Sequence, residues 1–402
     1  MSQAMWATFA VFGLNGLVFA SWAARIPAAS SALGLGSGET GALLLAAAAG
    51  SVLALPLAGS ISGRVGVANT VRIGGVVSAL AAVTIAGGLT TTSIPLTAVG
   101  LFLFGVGVAL WDVAQNIEGA DVEHRLRRTI MPKFHAAFSG GAFVGAMVGA
   151  ALSRIGVDLS YHLLGVAAVA MVVALWVPRY FLPEISHADA YPGTAERSRF
   201  AAWLEPRTLL IGLVVLGAAL TEGTANDWVA KATVDGLGAT EATGALMFGV
   251  FVAAMTLFRF VGGAVIDRYG RVRVLQISLG SSLIGLIVFV LAPSVPLAAV
   301  GAVLWGAGAA LGFPMGMSAA ADEPRHAAAR VSVVSTIGYM AFLAGPPLLG
   351  FLGDVVGIRN ALLVVGVAVL ASFIVAPAAA ERHTHTERDA DTGAKHPNPP
   401  AA

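Results

Sequence analysis

The sequence predicts an all-α integral membrane protein, with twelve transmembrane helices in two pseudo-symmetric six-helix bundles. Three observations lead there. First, 57% of the 402 residues are hydrophobic and only 11% are charged, with a mean hydropathy of +0.83. An ordinary soluble domain carries about 25% charged residues. This chain therefore cannot cover a globular surface with charge, and a water-soluble enzyme is excluded. Second, apolar runs of roughly 20 residues, the length that crosses a hydrocarbon core about 30 Å thick, recur between polar, Gly or Pro breaks. Third, the two halves of the chain resemble each other at an offset of about 200 residues.

The spans follow in order. Spans 1 to 6 read as Met5–Ala24, Glu39–Ala58, Val71–Leu89, Leu96–Ile117, Lys133–Ser153 and Tyr161–Leu182. Spans 7 to 12 read as Thr208–Ala230, Thr243–Gly263, Val274–Leu291, Leu297–Ala320, Val331–Gly353 and Asn360–Ala378. Residues 1–182 then form an N-terminal bundle, 183–206 a cytoplasmic linker, 207–380 a C-terminal bundle, and 381–402 a polar tail expected to be disordered. No basic segment with a small-residue cleavage site precedes span 1, which is read as a retained helix.

Positive charge assigns the orientation. About eighteen Lys and Arg fall on one side, among them Arg64, Arg72, Arg125, Arg127, Arg128, Lys133, Arg179, Arg207, Arg268, Arg271, Arg273 and Arg330. Only Arg25, Arg154, Lys231 and Arg359 fall on the other. The positive-inside rule then puts both termini and the linker in the cytoplasm, with the chain in a bacterial inner membrane and its arginines among lipid head groups. One chain holds both bundles, so a monomer suffices.

Several chemistries are ruled out. Cysteine is absent, which removes disulfides, thiolate metal sites and a cysteine nucleophile. A net charge of +1 gives no reason to expect a nucleic-acid partner. No phosphate-binding G-x-x-x-x-G-K-[ST] loop, paired-His metal motif or G-x-S-x-G elbow occurs, and no cofactor is expected. His383, His385 and His396 in the tail lack fixed ligand geometry for a metal.

The repeat is carried by two matches. Gly59-Ser-Ile-Ser-Gly63-Arg64-Val-Gly66 follows span 2, and Gly263-Ala-Val-Ile-Asp267-Arg268-Tyr-Gly270-Arg271-Val-Arg273 follows span 8. Phe104-Gly-Val-Gly-Val-Ala-Leu110 in span 4 likewise matches Trp305-Gly-Ala-Gly-Ala-Ala-Leu311 in span 10. Parallel six-helix repeats with a site between them are a transporter architecture.

From about Met5 to Ala380 the chain resembles the major facilitator superfamily, most specifically in the G-x-x-x-D-R-x-G-R pattern at Gly263–Arg271. The first-half copy departs from it, with Gly63 in place of the acid and Val67 in place of the base. Trp111-Asp-Val-Ala-Gln-Asn116 and Phe134-His-Ala-Ala-Phe-Ser139 are similar to a bacterial branch grouped near sugar–proton symporters. The resemblance implies alternating access, with both halves rocking around a cavity lined by spans 1, 4, 7 and 10. It also implies gating by Gly263, Asp267, Arg268, Gly270 and Arg271, with Arg64 in the weaker first-half copy. Asp267 would latch onto the start of span 5, around Thr129–Lys133, where an acid caps free N–H groups and meets the positive end of the helix dipole. The alternative is that these residues only fix a short loop.

An ionisable residue at a helix centre costs about 2.5–3.5 kcal/mol on insertion scales, so each needs a reason. Asp112, Gln115 and Asn116 share one face of span 4, and Glu222 and Asn226 share one face of span 7. Asn15 lies near the middle of span 1. Asp112 and Glu222 are displaced along the transport axis and are the candidate proton-coupling acids, the alternative for Asp112 being a helix–helix hydrogen bond. Asn15, Gln115, Asn116 and Asn226 are candidate solute-binding groups, and Trp111 either stacks on a sugar-like ring or packs on a neighbouring helix. Asp227 is read as reaching interfacial water, the alternative being a functional acid, and His135 as a packing or capping residue, the alternative being a proton relay. Arg259 either snorkels to the cytoplasmic surface or neutralises Asp112. Pro346 and Pro347 are expected to bend span 11.

The leading expectation is a proton-driven secondary transporter of a small polar solute, sugar-like or another metabolite. Proton-antiport export of amphipathic compounds is the alternative within transport, and a non-transporting receptor or scaffold the alternative outside it. The carboxamides favour the polar solute.

Overall fold

The structure is a computed structural model that describes residues 2–127, 130–183, 201–323 and 326–381. The expected tail histidines, Arg128 and most of the linker lie outside the described residues. Among the described residues twelve helices are long and apolar enough to cross a membrane. They are Ser2–Leu33, Ser37–Val65, Val67–Thr90, Ile94–Leu126, Lys133–Arg154 and Leu159–Tyr180, then Pro206–Leu237, Glu241–Tyr269, Arg271–Leu291, Val295–Ala320, Ala329–Val356 and Ile358–Ala379. The span numbers are kept for them.

Several spans run further than their apolar cores suggest. Span 4 continues past Ile117 to Leu126, with His124 and Arg125 in its last turn, where cations suit the carbonyl end of the helix. Span 1 is interrupted at Arg25 and resumes as Ile26–Leu33, with Pro27 in its first turn. Proline lacks the N–H that an uninterrupted helix needs there. Pro346 and Pro347 lie within one continuous helix, Ala327–Val356.

The two halves pack by one scheme. Spans 1 and 5, 2 and 4, 3 and 4, and 3 and 6 pair in the first half, as do 7 and 11, 8 and 10, 9 and 10, and 9 and 12 in the second. The glycine-rich match in spans 4 and 10 has a packing cause. A methyl group at Gly105 would strike the Ala47 carbonyl of span 2, and one at Gly306 the Phe251 carbonyl of span 8. Gly107 abuts Ser78 of span 3 in the way Gly308 abuts Ser282 of span 9. Small residues at these crossings let backbones touch. The loops after spans 2 and 8 also share their turn. Gly66 has φ +88° and Gly270 φ +81°, a left-handed conformation that glycine adopts without strain.

The helix ends divide into a basic end, carrying Arg64, Arg72, Arg207, Arg268 and Arg271, and a far end carrying Arg25, Lys231 and Arg359. Among the described residues, three polar contacts that join the halves (Gly38 to Asp354, Lys231 to Ser30, Arg25 to Glu241) lie at the far end. Gly41 of span 2 fits against the backbone of Pro346 and Pro347 there, so that pair serves an interhelical contact. At the basic end apolar clusters stay within one half, Phe12 with Phe134 in the first and Ala329 with Val333 in the second. Gly59, Gly63 and Gly263 face open space at that end. The halves are closed at the far end and parted at the basic end.

Candidate functional site

Among the described residues, the middle of the bundle holds one ion pair. Arg259 of span 8 donates Nη2–H to Glu222 Oε2 of span 7 at 2.8 Å, and Nε–H to the Ala310 carbonyl of span 10 at 3.1 Å. That carbonyl is free because Pro314, four residues on within span 10, has no N–H to donate to it. Three helices of one half thus hold a single guanidinium. Arg259 neither snorkels nor reaches Asp112, and its charge acts on His135 of span 5 across the interface. His135 itself packs edge-on against Phe12, as a packing residue does. Glu222 enters the membrane layer already paired, so the expectation of a second free proton acid there needs revision.

Asp112 is different. Its carboxylate is half-buried, accepts a bond from Gln115 Nε2 at 2.9 Å, and has no ion pair among the described residues. Asn116 Nδ2 donates instead to the Asp112 backbone carbonyl at 2.8 Å. The three polar residues of this face therefore act as one cluster, with Gln115 steadying the acid. Tyr339 of span 11 stands within electrostatic reach of Asp112 from the other half. On the observed span bounds Asp112 lies roughly 3 Å to the basic side of the middle of its helix. Glu222 lies close to the middle of its own.

The solute candidates separate. Asn116 and Asn226 are half-buried, whereas Asn15 and Gln115 are wholly buried. Both polar atoms of Asn15 lack a partner in the structure. Trp111 is also fully buried, its ring beside Gly75 of span 3, next to Ala174 of span 6. It packs on neighbouring helices, which corrects the idea that it stacks on a solute. The periodicity of span 4 already puts Trp111 about 100° from Asp112, and the glycine opposite it decides the matter. Trp6, Trp176 and Trp203 are exposed, as residues of an interfacial belt are.

The gating residues are also rearranged. Asp267 is exposed and makes no hydrogen bond or ion pair among the described residues. The start of span 5 is capped from its own half, where Glu123 Oε2 accepts from Ile130 N at 2.6 Å and Met131 N at 2.7 Å. Thr129 lies outside the described residues; among those described, the expected latch is not formed in this conformation, because Ile130 N and Met131 N are already satisfied. Arg64 is exposed, and Arg268 lies over the Tyr269 ring at 5.4 Å. Arg271 instead pairs with Asp322 at 2.9 Å, and Arg207 reaches the same acid at 3.0 Å. Beside them Arg330 bonds Glu205 at 2.6 Å and Glu323 at 2.9 Å. Sequence reasoning missed Asp322 although a signal existed. The offset that aligns Phe104 with Trp305 also aligns Asp121 with Asp322.

Glu205 sits just outside span 7. Partial burial pushes its carboxyl up, but the Arg330 and Thr208 hydrogen bonds outweigh this and hold it below the usual 4.5. A depressed folded value means stability that is present above the unfolded value and is lost as pH falls through the folded one. Wild type is therefore expected to lose thermal stability below about pH 4.5, and Glu205→Gln to remove part of that acid sensitivity. Melting temperatures in detergent from pH 3 to 7 check this; identical acid profiles would refute it.

The far end was not foreseen at all. Asp354, near the C-terminus of span 11, accepts from Gly38 N at the start of span 2 at 3.0 Å. Lys231 Nζ donates to Ser30 Oγ at 2.8 Å and pairs with Asp235 at 2.9 Å, while Ser30 also bonds Thr40. An acid capping a helix of the opposite half is the chemistry expected of Asp267, found at the other end of the molecule.

Two repeated six-helix bundles meeting around a polar mid-membrane layer define the architecture of a membrane transporter. The model for the Major Facilitator Superfamily matches residues 223–401. An uncharacterized transporter of Sinorhizobium fredii is 32% identical over 91% of this chain and 95% of its own. An uncharacterized MFS-type transporter of Yersinia pestis is 31% identical over 85% of this chain and 87% of its own. The chain belongs to the major facilitator superfamily. Among solved structures, a variant of the nucleoside transporter NupG superposes with TM-score 0.76 at 16% identity, over 93% of this chain and 99% of that one. A D-xylose–proton symporter superposes with TM-score 0.71 at 17% identity, over 92% and 97%. These two likenesses concern the fold. The relatives and neighbours are transporters and not enzymes.

Proposed function

We propose that the chain is a secondary active transporter that moves a small polar solute by alternating access, driven by protons, in a bacterial inner membrane. The basic end faces the cytoplasm on the positive-inside rule, so the conformation is inward-facing. The observation that carries the reading is Asp112. It is a half-buried carboxylate in the membrane layer with a carboxamide at its side and no cation. A charge so placed resists closure around it, and taking up a proton removes that resistance. Asn116 and Asn226 supply polar contacts suited to hydroxyl-rich or carboxamide-like solutes, and Glu222 with Arg259 forms a neutral, fixed wall. The solved neighbours carry nucleosides and xylose in their names, which agrees with a small polar solute.

The test is proton movement in proteoliposomes with an imposed pH gradient and pooled sugars, nucleosides and polyols. Wild type is expected to move protons in the presence of one pool. Asp112→Asn is expected to lose at least about tenfold of that flux, in line with loss of an essential proton carrier, while keeping solute counterflow. Equal coupled flux in the two proteins would overturn the assignment of Asp112.

A further inference from the structure

Span 7 carries a second acid that the central ion pair leaves unused. Asp227 is half-buried, and no hydrogen bond or ion pair reaches its carboxylate among the described residues. It lies roughly 8 Å to the far side of the middle of the helix. Its face is fixed by its neighbours one turn away. Gly223, four residues before, abuts the Phe342 ring of span 11. Lys231, four residues after, bonds Ser30 of the opposite half. Thr224, one turn inward, is buried with a hydroxyl that has no partner. Asp227 therefore stands on the strip of span 7 that runs from the contact with span 11 to the Lys231–Ser30 bond with the opposite half, one turn beneath the far-end closure.

On the helices packed against span 7, the charged groups from the middle of the membrane to the far end have other partners among the described residues. Arg25 of span 1 pairs with Glu241 of span 8 at 3.8 Å, and Arg259 of span 8 with Glu222 at 2.8 Å. Arg359 of span 12 donates to the carbonyls of Phe289 and Ala292. On span 11, Asp354 holds Gly38 N, and Tyr339 faces Asp112. Span 10 has no charged side chain. Lys231 sits four residues from Asp227 on one side and four from Asp235 on the other. Partners at i−4 and i+4 are equally near on a helix surface. In this conformation Lys231 takes Asp235 and Ser30, and Ser30 is available to it because the far end is closed.

We infer that Asp227 is a second proton-exchanging acid of the transport cycle, read out by Lys231, which shifts from Ser30 and Asp235 down to Asp227 when the far end opens. This rests on the proton-coupled reading above. In the closed arrangement the acid has no cation and takes a proton. In the open arrangement it is ionised and paired. Proton binding therefore favours far-end closure, and raising the pH favours opening. Sequence reasoning gave the outer acid's role to Glu222, which Arg259 already neutralises.

The test needs neither a solute nor flux. The absence of native cysteine lets spin labels be placed at Ala32→Cys and Val355→Cys, exposed at the far ends of the two halves. Distances are then measured by pulsed electron resonance between pH 5 and 9. In wild type the open-to-closed ratio should rise with pH, about tenfold for each unit separating the acid's titration in the two states. Asp227→Asn should stay closed and flat, within about twofold, and Asp227→Glu should restore the slope. Lys231→Met should be flat and more open, having lost the Ser30 bond. A flat wild type, or an unchanged slope in Asp227→Asn, overturns the inference. A slope kept in Asp227→Asn but lost in Asp112→Asn would overturn it while leaving proton coupling at Asp112 standing. A slope that depends on Asp227, without solute-driven proton flux in proteoliposomes, would uphold it and count against the transport reading alone.

Discussion

Glu222→Gln is expected to lower thermal stability in detergent by about 1–3 kcal/mol, more than conservative changes at Asn116 or Asn226. Removing one partner of a buried ion pair strands the other charge, at about 3–5 kcal/mol when burial is complete. Here Arg259 is 29% and Glu222 20% exposed, so solvent screens part of that penalty and the estimate is scaled down. The guanidinium would keep the Ala310 carbonyl and a neutral amide oxygen, but no counter-charge. The double variant Glu222→Gln, Arg259→Gln should then be clearly more stable than the sum of the two single losses, since neither charge is left alone. Melting curves of the four proteins check this. Additive losses would show that the pair contributes nothing as a pair.

The second large effect is expected at Gly38. A methyl group there meets the Asp354 carboxylate and the Phe351 ring, so Gly38→Ala must displace both side chains, disturb the Asp354 bond to Gly38 N and weaken far-end closure. A shift of more than about tenfold toward the open far end is expected, equivalent to at least 1.4 kcal/mol. Asp354→Asn keeps an acceptor for Gly38 N but loses the charge beside the helix N-terminus. Its effect should be smaller, about 0.3–1 kcal/mol, or a two- to fivefold shift. Gly63→Ala, at a position facing open space, should leave the far-end distance unchanged. Spin-label distances across the far end give all three results. A Gly38→Ala protein as closed as wild type would sink this account of the closure.

The fold was largely legible, and the reasons are physical. Hydrocarbon thickness makes each span a long apolar run, so twelve could be counted, and arginine placement fixed which ends lie together. The repeat showed because the same glycines recur wherever equivalent helices touch, at Gly105 and Gly306 and at Gly107 and Gly308. What was hidden depends on neighbours that no local pattern names. The spacing of span 4 put Asp112, Gln115 and Asn116 on one face, as found, but said nothing of Gly75 receiving Trp111. Arg259 was recognised as anomalous, yet its partner follows from a carbonyl freed by Pro314 on a third helix. The latch chemistry was sound for an acid at a helix start. The sequence motif pointed to Asp267, whereas the closed end in this conformation uses Asp354, whose Gly350–Gly357 run repeats the G-x-x-x-D-x-x-G spacing of Gly263–Gly270 and offered a signal that sequence reasoning missed.

The most direct test of the account is to watch both ends of the molecule at once. One label pair at Ala32→Cys and Val355→Cys reports the far end, and a second at Val65→Cys and Tyr269→Cys reports the basic end, all four positions being exposed. As pH or a transported solute changes, the account predicts that one distance lengthens while the other shortens, in the same fraction of molecules. Two distances that lengthen together, or a basic end that stays open while the far end opens, would contradict alternating access in this chain.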